Sequence, residues 1–438
     1  MISEIGRLRN LIVLPLAAAA VAGMSTYSMA ANTWDGGATF AGWRQANNWD
    51  NNGIPTFNNA TVLTFSTANW SGVRNGTAIE ANTTVRGINI GQGWATAGAG
   101  IFQIMTKAAD NTAGFVLTFS SNSGNAFVNV TAAADGAIRP ITIGANATNF
   151  LGSISLANNL DVTNSSTVST ITFNRPINGG FGFSKLGVGT MILDMAGSGT
   201  NYGYTGATAV SAGALQVNSA ANINSTSGIT VAAGAGLVYN SATALTKSLT
   251  LNGSGTGSRA TLSGTGSINV AVGLNDLGDV LSPGNSPGIL TFGTSQSWTA
   301  NTYQWELNDW GGAAAGTNFD QIAVTGGLTL SASGTYQLDL ISLTGGNTPG
   351  TIPNYVDQDK AWTIVTTTGG ITGFDASKWN INTAAFTGVT GTSGRTFSVQ
   401  QVGNSIELVY AVPEPSAIAV ALGGVACLGW FIRRRRAA

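Results

Sequence analysis

Acidic residues carry most of the chemistry that this sequence could perform, because it contains no histidine and one cysteine. Two carboxylates can hydrolyse a glycosidic bond, one as a general acid and the other as a base or nucleophile. Three pairs are close in sequence: Asp276 with Asp279, Glu306 with Asp309, and Asp357 with Asp359. All three lie in Gly- or Asn-rich turns, where aspartate is common for conformational reasons. We therefore expect turn residues rather than a catalytic dyad, and assign no catalytic residue.

The absence of histidine excludes Ser-His-Asp and Cys-His nucleophile pairs and most catalytic zinc sites. The only cysteine, Cys427, is close to the C-terminus, so the body of the chain has neither a disulfide nor a thiol nucleophile. The stretch 253–266 is rich in glycine but lacks the Gly-Lys-Ser/Thr of a phosphate loop. We expect no cofactor and no metal site, although isolated calcium sites built from backbone carbonyls stay open.

Three tryptophans are close together near the start of the chain. Trp34, Trp43 and Trp49 stand beside Asp35, Asn48 and Asp50. Exposed tryptophan rings stack on sugars, and neighbouring amides and carboxylates bind hydroxyl groups, so these rings are a possible glycan contact. The alternative is an N-terminal cap in which the rings are buried over the end of the fold, and burial is the commoner use of large aromatic residues.

The elements that would position these groups are short β-strands. From about residue 130, three or four β-forming residues recur every 6 to 20 residues and are followed by Gly, Asn or Ser, as in ITI at 141, ITF at 171 and MIL at 191. This pattern is typical of an all-β protein. Low charge favours a β-solenoid, because stacked like charges would repel at strand spacing. A β-sandwich is the main alternative.

Residues 183–218 resemble the autotransporter-associated β-strand repeat. The matching positions are Lys185, Gly187, Gly189, Leu193, Tyr204, Thr205, Gly206, Gly213 and Leu215. The resemblance implies a right-handed parallel β-helix. The sequence departs from autotransporters because one copy is clear and no terminal membrane barrel follows, so the resemblance does not imply self-export.

Two further segments, 279–293 and 319–330, resemble sequences that often accompany that repeat. Pro283, Gly284, Pro287 and Gly288 indicate a double turn between strands. Beyond it the strands lengthen and alternate more regularly. We therefore predict an N-terminal Trp- and Asn-rich β cap region over 31–130, a solenoid over 131–293, and a β-sandwich-like or jelly-roll-like C-terminal region over 294–411 that closes the stack.

The N-terminus has the features of a signal peptide. Arg7 and Arg9 precede a short apolar segment, and Ser28 and Ala30 are small residues at the positions that a signal peptidase reads. We expect cleavage after Ala30.

The C-terminus contains an uncharged segment, 416–432, followed by Arg433, Arg434, Arg435 and Arg436. Its 17 residues would form a helix of about 25 Å, at the short end for a membrane span. The arginines would keep the C-terminus cytoplasmic and the body outside. A buried C-terminal helix of a globular domain is the alternative.

Together with Pro413, Glu414 and Pro415, this tail resembles the PEP-CTERM sorting signal of Gram-negative bacteria that produce extracellular polysaccharide. The resemblance covers 412–438. It implies transient membrane insertion, cleavage by an exosortase-type membrane protease, and delivery to the cell surface or extracellular matrix.

Without its ends, the body from 31 to 415 has 12 basic and 18 acidic residues, a net charge near −6. An acidic body has no electrostatic footprint for nucleic acid. We expect an exported, non-enzymatic structural or adhesive protein that associates with extracellular polysaccharide. The alternative is a carbohydrate-active enzyme, a lyase or glycosidase, whose carboxylates come from distant coils.

Overall fold

A computed structural model describes residues 32–34, 42–50, 52–65, 77–91, 102–106, 114–133, 138–144, 151–195, 201–218, 220–390 and 394–412. All of them belong to the compact unit Asn32–Ala438. The expected signal peptide and the expected C-terminal span lie outside the described residues. Among the residues that are described, no helix is long and apolar enough to cross a membrane.

The described residues form β-strands and two short 3₁₀ helices, Ala46–Asn48 and Ala376–Lys378. The strands up to residue 204 are β1 (Asn32–Thr33), β2 (Val62–Phe65), β3 (Thr77–Ile79), β4 (Thr83–Val85), β5 (Gly87–Ile90), β6 (Phe102–Thr106), β7 (Val116–Phe119), β8 (Ala126–Val130), β9 (Ile141–Ile143), β10 (Ser153–Leu156), β11 (Leu160–Asn164), β12 (Thr170–Phe173), β13 (Ile177–Gly179), β14 (Phe183–Leu186), β15 (Thr190–Leu193) and β16 (Gly203–Tyr204).

The later strands are β17 (Thr208–Val210), β18 (Gly213–Val217), β19 (Ile229–Ala232), β20 (Ala235–Tyr239), β21 (Leu249–Asn252), β22 (Ala260–Gly264), β23 (Ser267–Ile268), β24 (Leu274–Pro283), β25 (Ile289–Phe292), β26 (Gln296–Leu307), β27 (Gln321–Val324), β28 (Leu328–Ser342), β29 (Lys360–Thr367), β30 (Ile371–Thr372), β31 (Trp379–Ala385), β32 (Thr396–Val402) and β33 (Ser405–Ala411).

These strands form four sheets. Sheet 1 has the order β1-β2-β5-β8-β11-β14-β17-β19-β21, and sheet 3 has the order β16-β13-β10-β7-β4. Sheet 2 runs β3-β6-β9-β12-β15-β18-β20-β22-β24-β26-β28-β30, with β31 also on β28. Sheet 4 runs β23-β25-β27-β29-β33-β32. Strands that follow one another in the chain therefore mostly belong to different sheets.

The chain makes repeated coils. For example, β8 lies in sheet 1, β9 in sheet 2 and β10 in sheet 3, and β11 then pairs parallel with β8. Sheet 3 ends at β16. From β22 to β30, successive strands alternate between sheet 2 and sheet 4. Between described strands, only β29 with β33 and β33 with β32 pair antiparallel. The architecture is all-β with large parallel sheets and is compatible with a β-helix.

Alternation of side chains explains why this sequence forms coils. Most short strands show alternating buried and half-exposed residues, as in Leu160–Asn164, because successive side chains point to opposite faces of a sheet. In sheet 2 the inward residues of consecutive coils are in register: Ile141, Ile171, Met191, Leu215, Leu237, Leu262, Leu281, Tyr303 and Leu338. All are fully or almost fully buried. Burying each large apolar side chain stabilises the fold by about 1.5–3 kcal/mol.

Two predicted boundaries need correction. Strands β2 to β8 already belong to sheets 1, 2 and 3, so the coils begin before residue 131. The wide spacing of these first strands along the chain hid the repeat in the sequence. The region 294–411 is also less separate than expected, because β26, β28 and β29 continue the parallel sheets. Only its last two strands depart from the coil pattern.

Candidate polysaccharide-binding surface

The outward face of sheet 1 carries a column of uncharged polar side chains. Thr64, Asn89, Asn129 and Thr163 occupy the same register position on four neighbouring strands. All four are half-exposed. The Asn129 Nδ2 group donates to Asn89 Oδ1 at 3.2 Å, and Asn89 Nδ2 reaches Thr64 Oγ1 at 3.5 Å. Neighbouring positions of this column are about 4.8 Å apart along the stack.

The other sheets repeat this feature. Sheet 3 aligns Thr84, Thr118, Ser155 and Asn178 on its outward face, and sheet 2 aligns Gln103, Thr142 and Thr172. These side chains carry both donors and acceptors but no charge. The arrangement can therefore hydrogen-bond many hydroxyl groups at once, as an extended saccharide chain would require.

Lys185, at the centre of the repeat motif, is fully buried on β14. Its Nζ donates to the carbonyl oxygens of Leu186 at 2.8 Å, Gly187 at 2.7 Å and Ala212 at 3.0 Å. Burial lowers the pKa of Lys185 to about 8. The ammonium group satisfies carbonyl oxygens from two consecutive coils, so this lysine holds turns together and does not face a ligand.

The glycines of the motif permit close approach of these turns. Gly213 has a φ of +63°, and a Cβ there would lie 2.3 Å from the carbonyl oxygen of Gly189 and 2.6 Å from that of Gly187. A Cβ on Gly206 would lie 2.1 Å from the backbone nitrogen of Gly182. No other residue type fits at these positions without backbone movement.

Tyr204 of the motif is also buried. Its hydroxyl group lies 2.7 Å from Thr208 Oγ1, which in turn lies 3.1 Å from Thr226 Oγ1. Its ring packs against Phe183 at 5.2 Å. Burial raises the pKa of Tyr204 above its ordinary value. The phenol is therefore a neutral hydrogen-bonding group inside the coil.

The remaining motif positions are also structural. Leu193 and Leu215 are fully buried in sheet 2. The Thr205 backbone N–H donates to the carbonyl oxygen of Gly179 at 2.9 Å. The motif thus places its functional groups inside the coil or in its turns, and the polar columns on the outside come from other residues.

The three tryptophans do not lie on the surface. Trp43 and Trp49 are 0% exposed and Trp34 is 2% exposed. Trp34 and Trp49 pack edge to face at 5.1 Å, and both contact Phe65. Trp49 Nε1 donates to the carbonyl oxygen of Trp43 at 2.9 Å. The prediction of a glycan contact at these three tryptophans is therefore wrong, since buried rings cannot stack on a sugar. These residues form an N-terminal aromatic plug.

Asp276 and Asp279 do not lie in a turn as predicted but in β24, where its register with β26 is interrupted between Asn275 and Val280, and their carboxylates accept backbone hydrogen bonds. Asp279 accepts from the N–H groups of Gly253 and Asn275, both at 2.9 Å. Asp276 accepts from Gly255 at 2.5 Å. Burial raises the pKa of Asp279, although these N–H groups act against the rise. Both carboxylates tie β24 to the segment at Gly253 and Gly255, which is a structural role.

The acidic residues Asp357, Asp359 and Asp309 of the other two predicted pairs also have structural partners. Asp357 and Asp359 both bind Arg395, at 3.3 Å and 2.7 Å. Asp309 accepts from Asn354 Nδ2 at 2.9 Å, within a turn. These interactions are exposed or half-exposed, so solvent screens the ion pairs of Arg395 and they add little to stability.

Glu306 has a different acidic neighbour, Asp320, which the sequence pairs did not include. The Asp320 carboxylate accepts from the N–H groups of Gly288 at 2.7 Å and Glu306 at 3.1 Å. Burial and the charge of Glu306 raise the pKa of Asp320 well above its ordinary value. Burial also raises the pKa of Glu306. Both carboxyl groups therefore hold their protons more tightly than exposed carboxyl groups do.

A second acidic residue missed in the sequence is Asp339 on β28. Arg259 Nη2 lies 2.7 Å from its Oδ2 atom. Gln337 Nε2 and Asn382 Nδ2 donate to its Oδ1 atom at 2.8 Å and 3.0 Å. Burial acts to raise the pKa of Asp339, but the amide and guanidinium partners outweigh it, and the pKa is lowered. Asp339 is thus a firmly ionised carboxylate on the outward face of sheet 2.

Register relates these two acids. Glu306 on β26 pairs with Ile341 on β28, and Asp339 pairs with Gln304. Glu306 and Asp339 are therefore diagonal neighbours on the same outward face, with Cα positions about 8 Å apart. Their surroundings shift the two pKa values in opposite directions, upwards for Glu306 and downwards for Asp339. The segment 319–330, which contains Asp320, was noted in the sequence only because it resembles segments that accompany the repeat. No feature of the sequence indicated that Glu306 lies next to β28.

The sorting residues Pro413, Glu414, Pro415 and Arg433 to Arg436, and the cleavage-site residues Ser28 and Ala30, lie outside the described part of the chain. No protein-family model matches the sequence. No curated protein is significantly similar to it.

Proposed function

We propose that the chain is an exported structural or adhesive protein whose body binds extracellular polysaccharide through many weak contacts. The observation that supports this proposal is the set of registered outward columns, in which Asn, Thr, Ser and Gln repeat from coil to coil. A long, nearly uncharged surface of hydroxyl and amide groups suits a flexible, neutral polymer, because no single contact needs to be strong. Binding of this kind requires no catalytic step.

Export and delivery belong to the same proposal. The N-terminal segment would be removed by signal peptidase after Ala30, and the C-terminal tail would insert transiently in the inner membrane until an exosortase-type protease cuts at Pro-Glu-Pro. The body would then reach the cell surface or extracellular matrix of a Gram-negative bacterium. The repeat resemblance further implies right-handed coils, in line with the strong preference of parallel crossovers for that hand.

The test of surface binding uses polysaccharide purified from the matrix of the producing cells. Asn89→Asp combined with Asn129→Asp places like charges in register, which should weaken binding while leaving the inward columns intact. Lys247→Asp changes charge by two units at a site outside the columns and serves as the control. Retained affinity in the column variant would contradict the proposed surface.

The intact mass of the protein from the extracellular fraction tests delivery. A mass without residues 1–30 and without the segment after Pro415 supports sorting. Glu414→Ala should then leave the tail attached. A wild-type protein that keeps residues 416–432 would contradict processing, yet would leave the binding proposal standing.

A carbohydrate-active enzyme is the second candidate, and the diagonal placement of Glu306 and Asp339 favours it. An inverting glycosidase uses two carboxyl groups with room for a water molecule between them, one as the general acid and the other as the general base. Here Glu306 would be the acid and Asp339 the base. Release of reducing ends from the matrix polysaccharide, lost in Glu306→Gln but kept in Glu407→Gln, would select this candidate over simple binding.

A further inference from the structure

Strand β32 forms one edge of sheet 4. It pairs antiparallel with β33 over Thr396 to Val402, and within the described residues no strand pairs with its other side. Alternate backbone N–H and C=O groups of such a strand point away from its single neighbour. They are donors and acceptors that another strand can use.

The sequence of β32, TFSVQQV, contains no charge and no proline. Proteins usually protect edge strands with lysine, proline, bulges or short length. The register of β32 with β33 runs over seven residues without a shift, so none of these protections is present. Five of the seven residues are exposed, and only Val399 is buried. Val402 is 49% exposed.

The opposite end of the stack is different. The outermost strands there, β1, β3 and β4, have two or three residues each. The aromatic plug of Trp34, Trp43 and Trp49 lies at this end, where Trp34 bonds to the backbone of Thr64. Strand β32 is therefore long enough to pair with an added strand, whereas the short outermost strands at the start of the stack are poorly suited to this.

We propose that β32 is a self-association site, at which the β32 strand of a second copy of this chain adds antiparallel and joins the two copies of sheet 4. A two-fold axis through Val399 places Thr396 opposite Val402 of the second copy and Phe397 opposite Gln401. No like charges meet in this register. Such an isologous interface closes on itself, so the product is a dimer rather than a filament.

A second copy is the favoured occupant because the strand is complementary to itself in this register. Its uncharged side chains also match the low charge of the chain as a whole, 8%. A charged partner strand would find no opposite charge among the β32 side chains. The interface of one seven-residue strand is small, and we therefore expect a concentration-dependent equilibrium rather than an obligate dimer.

The test is sedimentation velocity of the protein purified from the extracellular fraction of cells that express the full-length chain. The dimer fraction should rise with protein concentration. In Thr396→Lys combined with Val402→Lys, like charges would meet at both ends of the strand pair, so the variant should stay monomeric. Ile54→Lys combined with Ile138→Lys adds the same charge at exposed sites away from β32 and should dimerise as wild type does.

A charge-complementation experiment separates repulsion from loss of structure. Thr396→Glu combined with Val402→Glu should also be monomeric alone, but a mixture with the lysine variant should form a heterodimer. A wild-type protein that is monomeric at every concentration, an undiminished dimer in the lysine variant, or a mixture that stays monomeric would overturn the proposal. Growth into long polymers would overturn the closed two-fold register. None of these outcomes depends on polysaccharide binding.

Discussion

The ammonium group of Lys185 lies 3.0 Å from the carbonyl oxygen of Ala212, although 27 positions separate the two residues in the chain. This bond joins one coil to the next, and the same ammonium group also holds the carbonyl oxygens of Leu186 and Gly187. A buried cation is thus satisfied entirely by backbone dipoles. Its three acceptors within the described residues are all backbone carbonyl oxygens.

Lys185→Met should destabilise the protein by about 3 kcal/mol or more, because buried carbonyl oxygens lose their donor while the apolar stem is retained. The free energy of unfolding in denaturant measures this effect. Lys247→Met replaces a half-exposed lysine and should change stability by less than about 0.5 kcal/mol. Equal effects of the two substitutions would show that the three bonds of Lys185 contribute little.

Gly213→Ala should destabilise the protein more than Gly124→Ala does. Both glycines have positive φ, +63° and +71°, so alanine is strained at either site. A Cβ at Gly213 would also collide with the Gly189 carbonyl oxygen, whereas nothing lies within 4 Å of the corresponding position at Gly124. We expect about 1 kcal/mol at Gly124 from backbone strain alone. Similar thermal shifts for the two variants would refute the close approach of the turns.

Trp49→Ala should weaken the first coils by about 3–5 kcal/mol, because a large buried ring leaves a cavity. Native-state hydrogen exchange of β2 and β5 measures the local opening free energy, which is appropriate for a stack whose parts open separately. Ile54→Ala, at a 49% exposed residue, is the control. Polysaccharide binding should be unchanged in both variants. Loss of binding in Trp49→Ala without loss of protection would restore the tryptophans as a ligand site.

Stability should fall as the pH rises from about 4 towards neutrality, through the contribution of Glu306 and Asp320. Both carboxyl groups have raised pKa values, so the folded state holds protons that the unfolded chain releases. That contribution is present at low pH and is lost as the pH rises through the folded pKa values.

Denaturant titrations between pH 4 and pH 7 measure this dependence. Glu306→Gln should flatten it, because a neutral amide removes one of the two charges. Glu407→Gln, on β33, should keep the wild-type slope. An unchanged slope in Glu306→Gln would mean that the two carboxyl groups do not interact.

Local strand formation was predictable from sequence because it depends on local pattern. The runs at 141, 171 and 191 became β9, β12 and β15, and the inward residues are the apolar ones of each run. Gly187 and Gly213 were named only as positions that match the repeat, and the structure shows that both have the positive φ that glycine tolerates. The low charge favoured stacked coils without excluding a β-sandwich, and the parallel arrangement was implied only by the resemblance of 183–218 to the repeat.

Contacts between distant residues were not predictable in this way. Arg259 and Asp339 are separated by 80 positions, and nothing in either neighbourhood indicates the other. Asp320 reaches Glu306 because a loop returns the chain to the end of β26, a geometry that composition does not encode. The tryptophans show the same limit, since residue type gave two opposite readings and only the coil geometry decided between them.

The aromatic plug has a consequence for how the body acquires its structure. A chain that leaves the cell N-terminus first delivers Trp34, Trp43 and Trp49 before any of the coils that follow. Each later strand of sheet 1 can then pair with a strand that is already in place, because the order of strands in this sheet follows their order in the chain. Under the proposed export, secretion would therefore set the order of assembly, from the N-terminal coils towards the last strand.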